Sequence, residues 1–169
     1  MRITLSLALL VLAGCSGAGT GVRYDAGQNM TMFESRAIDI GKPIGDASLG
    51  SARITMRAEA SCAGEECVPG TYEVSLSKAG GNDASSDYAS VSFETDDGTV
   101  SFKSGASSGS QAQFFSTNQG EFVRLSVPFD IFESFATSPT LTVRLGGSSY
   151  VVNYDRRSGF RKLLPEQQG

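Results

Sequence analysis

The chain is 169 residues long, 40% hydrophobic and 19% charged, with a formal net charge of −4 at pH 7. That is the size of one ordinary domain, and the composition fits neither a disordered tail nor a membrane bundle. The negative sign argues against nucleic-acid binding as a main role, because affinity for a phosphate backbone comes from Lys and Arg.

The first stretch stands apart from the fold. Arg2 precedes an apolar run from Ile3 to Ala13, 11 residues long, whereas crossing a bilayer takes about 20. A positive start, a brief apolar centre and small residues before a break point form the pattern of a secretory signal peptide. At every position Leu12-Ala13-Gly14-Cys15 resembles the lipobox of bacterial prolipoproteins. The resemblance covers residues 1–15 only. It implies a diacylglycerol on the Cys15 thiol, cleavage between Gly14 and Cys15, and acylation of the new amino group. Two or more chains hold a protein stably where one holds it marginally. It also implies a bacterial cell envelope location, and Ser16 in place of Asp favours the outer membrane where the source is Gram-negative.

The organisation expected is a signal peptide over residues 1–14, lipidated Cys15 with a Gly-rich tether through residue 22, and a single β-rich domain over residues 23–169. Losing Arg2 with the signal peptide takes the charge from −4 to −5 over the remaining 155 residues. With Cys15 assigned to lipid, Cys62 and Cys67 remain as an even pair in "SCAGEECVPG". A Cys-x4-Cys ring in an oxidising envelope predicts a disulfide. A zinc site would need four ligands, and the chain has no histidine and no second cysteine pair.

Beyond the tether, period-two alternation predicts strands with one buried and one wet face. Residues 28–40 read as one or two strands with poor alternation. "RITMRAEA" puts Ile54, Met56, Ala58 and Ala60 on one side, and "TYEVSLSK" does the same with Tyr72, Val74 and Leu76. The cysteine loop between them makes a stapled hairpin. In "YASVSFETDDGTVSFK" Val91, Phe93, Val100 and Phe102 flank Asp97-Gly98, which predicts a type I′ turn with φ > 0 at both residues. "QAQFFSTNQGEFVRLSV" turns at Asn118 to Gly120, with Val123, Leu125 and Val127 inward.

The last fifty residues add helices. "PFDIFESFAT" spaces Phe129, Phe132 and Phe135 or Ala136 helically after Pro128. Leu141, Val143 and Leu145 then alternate before Gly146-Gly147, and Tyr150, Val152 and Tyr154 after it. Asp155 is placed to cap a final segment with Phe160, Leu163 and Leu164 as its apolar stripe. The fold class expected is mainly β, an antiparallel sandwich or curved sheet of about 7–9 strands, with one or two short helices near the C-terminus.

The catalytic motifs lack partners. Gly105-Ala106-Ser107-Ser108-Gly109 matches Gly-x-Ser-x-Gly, but without histidine no Ser-His-Asp triad exists. Ser75-Leu76-Ser77-Lys78 matches Ser-x-x-Lys, yet Ser75 falls mid-strand and no Lys-Thr-Gly follows. Acidic residues gather in turns, at Asp96-Asp97, at Asn82, Asp83 and Asp87, and at Glu65-Glu66, without the spacing of a calcium loop. Arg156, Arg157, Arg161 and Lys162 cluster at the end, where they either complement a helix dipole or contact anionic lipid headgroups.

The function expected is therefore a non-enzymatic lipoprotein. It meets the membrane through its lipid and another envelope protein or surface ligand through its β domain, with no metal, no other cofactor and no nucleic acid. The alternative is an envelope hydrolase using a carboxylate pair, as glycosidases do.

Overall fold

The computed structural model describes residues 20–41, 53–79, 90–104, 111–117 and 120–165. Eleven strands form it: β1 (Gly21–Asp25), β2 (Met30–Glu34), β3 (Ile38–Gly41), β4 (Arg53–Ala63), β5 (Thr71–Ala79), β6 (Ser90–Thr95), β7 (Gly98–Ser104), β8 (Gln111–Thr117), β9 (Gly120–Pro128), β10 (Leu141–Leu145) and β11 (Ser148–Val151). Helix α1 (Phe129–Thr137) follows β9, and a 3-10 turn at Asp155–Arg157 leads into α2 (Ser158–Arg161). Among the described residues no helix is long and apolar enough to cross a membrane.

The strands run side by side in the order β1-β2-β4-β5-β9-β8-β7-β6-β10-β11, and β3 also pairs with β4. Strands β2 and β3 share one edge of β4, β2 against residues 59–63 and β3 against residues 54–56. Ser35 bridges the break between them, because its N–H donates to the Ala58 carbonyl at 2.9 Å and its hydroxyl accepts from the Ala58 N–H at 2.8 Å. The pairings are antiparallel except for β7 with β8, which run parallel over two residue pairs. A full crossover is unnecessary there because β8 starts beside the last residues of β7.

The alternation explains the curl. Ile54, Met56 and Ala58, Tyr72, Val74 and Leu76, Val91 and Phe93, and Leu141, Val143 and Leu145 are all buried in one cluster, so both halves of the sheet turn their apolar faces to the same interior. Strand β3 meets β11, bringing the two ends of the sheet together as a sandwich. Helix α1 closes it by clipping both halves. Phe132 stacks on Tyr72 of β5 at 3.9 Å, and Phe135 on Phe93 of β6 at 4.4 Å. Each such ring contributes about 1.5–3 kcal/mol by burial, and each stacked pair adds about 0.5–1.5 kcal/mol. Phe160 of α2 packs on Phe132 at 5.6 Å, and the Tyr72 hydroxyl donates to the Leu163 carbonyl at 2.8 Å.

Four details depart from expectation. Among the described residues there are eleven strands rather than 7–9: residues 30–41 form two, the larger of the numbers expected there, and Gly21 and Val22, expected in the tether, begin β1 opposite Glu34 and Phe33. The β6–β7 turn consists of Asp96 and Asp97, since Thr95 pairs with Gly98. Gly98 has φ 138° while neither aspartate has positive φ, so the turn is not type I′. Side chains hold it instead. Asp96 accepts hydrogen bonds from Ser138 at 2.9 Å and Thr140 at 2.8 Å, and Asp97 from Ser134 at 2.8 Å. Asp155 caps nothing, for the chain leaves β11 through a 3-10 turn with no side-chain cap. That same exit leaves Tyr154, expected inward, 42% exposed.

Candidate functional site

Strands β2, β4 and β5 carry one glutamate each on their outer face, and pairing brings the three into line. Glu34 of β2 lies opposite Glu59 of β4, Glu59 lies opposite Glu73 of β5, and Glu73 lies opposite Ser126 of β9. Like charges directly opposed destabilise a sheet, and arginines relieve them here. One guanidinium nitrogen of Arg57 lies 3.8 Å from Glu34 and 3.6 Å from Glu59, while Arg124 of β9 pairs with Glu73. A further pair, Arg144 with Glu94 at 2.8 Å, joins β10 to β6. Acidic residues therefore do line strand faces, contrary to the expectation that they gather in turns. Spacing along one strand carries no information about which residues stand beside it on the next.

A groove of about 450 Å³ follows this row, lined by Glu34, Glu59 and Glu73 with Met32, Ala60, Ser61, Thr71 and Ser126. Its volume is within the usual range of ligand clefts. No aromatic side chain is among these lining residues. Among the described residues no set of three or more His, Cys, Asp or Glu side chains converges as a metal site.

The cysteine loop adjoins this face. Cys62 and Cys67 form the expected disulfide, with Cα atoms 6.0 Å apart. Gly64 inside the ring has φ 94°, a conformation that favours glycine. The Thr31 hydroxyl donates to the Gly64 carbonyl at 2.6 Å, and the Gly64 N–H donates to the Asn29 carbonyl at 2.9 Å. The loop is thereby strapped to the β1–β2 hairpin, with Glu65 and Glu66 exposed at its tip.

The four terminal cations separate. Arg157 is wholly buried, so it is no headgroup contact. Its guanidinium donates to the carbonyls of Phe135, of Ser138 at 2.6 Å and of Pro139 at 3.3 Å. These are carbonyls at and just beyond the C-terminal end of α1, where a helix leaves acceptors without partners. Arg157 thus serves the C-terminal end of α1 and not the dipole of its own segment. Burial pushes its pKa down from the usual arginine value, Arg161 lowers it further, and Tyr154 and Asp96 oppose the shift. Arg156 donates to the Asp39 carbonyl at 2.8 Å, Arg161 donates to the Tyr154 carbonyl at 2.7 Å and covers the Tyr154 ring at 3.8 Å, and Lys162 is exposed.

Ser75 sits mid-strand in β5 between Arg57 of β4 and Arg124 of β9, so the Ser-x-x-Lys match is part of a polar strand face. The Gly105–Gly109 motif, the Asn82, Asp83 and Asp87 stretch, Asn118 of the β8–β9 turn, and Cys15 lie outside the described residues. Comparison with known proteins returns no matching family model, no matching characterised protein and no matching solved structure.

Proposed function

We propose that the chain is a membrane-anchored envelope lipoprotein whose β domain binds or scaffolds another envelope protein or a surface ligand. The lipobox at Leu12 to Cys15 supports the compartment. What favours binding over catalysis is the pairing of the outer-face carboxylates, Glu34 and Glu59 on Arg57 and Glu73 on Arg124. Paired this way, the groove presents a strip of mixed charge suited to hydrogen bonding and ion pairing with a polar partner.

The second reading, a carboxylate hydrolase, draws on the same register. Glycosidases need two carboxyl groups about 5–9.5 Å apart, and the register sets Glu34 beside Glu59 and Glu59 beside Glu73. None of the described residues lining the groove is aromatic, which argues the other way.

The test places a photo-crosslinking residue at Ser61 or Thr71 in the groove, or at the exposed Thr99 on β7 in the other half of the sheet, in intact cells. Capture of the same partner at 61 and 71 but not at 99 supports the binding face. Equal capture at all three, or turnover of a glycoside by the purified protein that Glu59→Gln abolishes, overturns it.

A further inference from the structure

We infer that the domain stands on the bilayer through its α2 end, with Arg36, Arg156, Arg161 and Lys162 turned toward anionic phospholipid headgroups. This rests on the lipid anchor at Cys15 proposed above, and it deepens that reading by fixing which face meets the membrane.

The first observation is where the tether joins the fold. The Thr20 hydroxyl accepts from the Arg36 N–H at 2.9 Å. Thr20 also lies against α2, so closely that a methyl added at Gly159 would touch its Oγ1 and Cγ2 at 3.5 Å. Thr20 is thus pinned between the corner at residues 35–36 and the start of α2. Only four residues, Ser16 to Gly19, lie between it and Cys15, which makes five Cα-to-Cα steps. Whatever conformation they take, that length reaches at most about 18 Å. An anchored Cys15 therefore keeps Thr20, and with it the α2 end that Thr20 packs against, within that reach of the lipid surface.

The second observation is the chemistry waiting there. Arg36, Arg156 and Lys162 are exposed. Arg161 uses one guanidinium nitrogen on the Tyr154 carbonyl, which leaves other donors of its fork available. Asp155 is the only acid between Asn153 and Pro165, while the chain as a whole is net negative. Near an anionic surface such an asymmetric domain orients with its cations inward. The field falls off over a Debye length of about 8 Å at physiological salt, so the short reach of the tether is what lets it act. Tyr154 and Val151, 42% and 48% exposed at the same end, suit the interfacial zone where aromatic residues with a polar tip collect.

The experiment uses the full acylated chain in phosphatidylcholine vesicles containing phosphatidylglycerol, with a headgroup-attached nitroxide as quencher. A fluorophore is placed at position 158 (Ser158→Cys), exposed at the start of α2, or position 113 (Gln113→Cys). Position 158 should be quenched several-fold more than position 113, and less so when phosphatidylglycerol is replaced by phosphatidylcholine. Adding Arg36→Gln to the position-158 protein should lower the docked-to-undocked ratio about fivefold for the cation lost. Equal quenching at both positions, or quenching at 158 indifferent to anionic lipid, overturns the orientation while leaving the anchor intact. An intact mass that lacks acyl chains on Cys15 overturns both.

Discussion

Replacing Arg157 with Met keeps much of the side chain's bulk and removes the guanidinium, so it isolates the carbonyl contacts beyond α1. Arg157 is fully buried and donates to three carbonyls, two of them closely. A hydrogen bond to a charged group contributes about 1.5–3 kcal/mol, and a buried carbonyl left without a partner costs about 1–3 kcal/mol. Relief of the guanidinium's own desolvation offsets part of this. The balance is a loss of about 2–4 kcal/mol, which for a domain of this size lowers Tm by roughly 5–15 °C. Equilibrium urea unfolding should show a lower midpoint with an unchanged slope. Arg157→Lys should fall between the two, because a point charge cannot span carbonyls that a planar fork spans. A Met variant within about 0.5 kcal/mol of the parent, or more stable than it, would show instead that burying the cation costs more than its hydrogen bonds return. Vesicle association should be unchanged, since a buried side chain offers nothing to a headgroup.

Three other outcomes follow from the same contacts. The double change Cys62→Ser, Cys67→Ser opens a ring of sequence separation 5 and should cost about 2 kcal/mol or less by loop entropy; denaturant midpoints with and without reductant measure it. The hydroxyls of Thr140 and Ser138 hold the Asp96 carboxyl below its usual 3.8. Their contribution is present above that unfolded value and lost as pH falls from 3.8 through the lower folded value, so Asp96→Asn should unfold with a flatter acid limb. Burial pushes the Tyr72 hydroxyl up to about 12. Its contribution is full below the unfolded value of 10.0 and lost as pH rises from there through about 12, and Tyr72→Phe should weaken that decline while costing about 1 kcal/mol for the lost bond to Leu163.

Much of the architecture was legible because burial is periodic. β4, β5, β6, β9 and β10 each turn alternate apolar residues to the core, and α1 buries Phe132, Phe135 and Ala136 as its spacing requires. Strand β1 was not legible. Val22, Arg23, Tyr24 and Asp25 alternate over only four residues behind a Gly-rich stretch, and at the sheet's edge Val22 and Tyr24 stay exposed, so the alternation marks no core face. The Asp97-Gly98 turn misled because the hydroxyls of Ser138 and Thr140, just after α1 and more than forty positions downstream, capture Asp96. Nor did the charges of the last segment reveal that Arg157 is buried, since its acceptors are backbone carbonyls that any sequence supplies. The row of Glu34, Glu59 and Glu73 belongs to the same class. Each is ordinary on its own strand, and only the register makes them neighbours.

The most direct measurement of the central claim is metabolic labelling with an alkyne analogue of palmitate, followed by membrane fractionation of parent and Cys15→Ser cells. The parent should be labelled and membrane-bound, with an intact mass that begins at Cys15 with acyl chains attached, and the Cys15→Ser chain should be unlabelled and leave the membrane fraction. A parent chain that takes up no label, or a Cys15→Ser chain that stays labelled and membrane-bound, would contradict it.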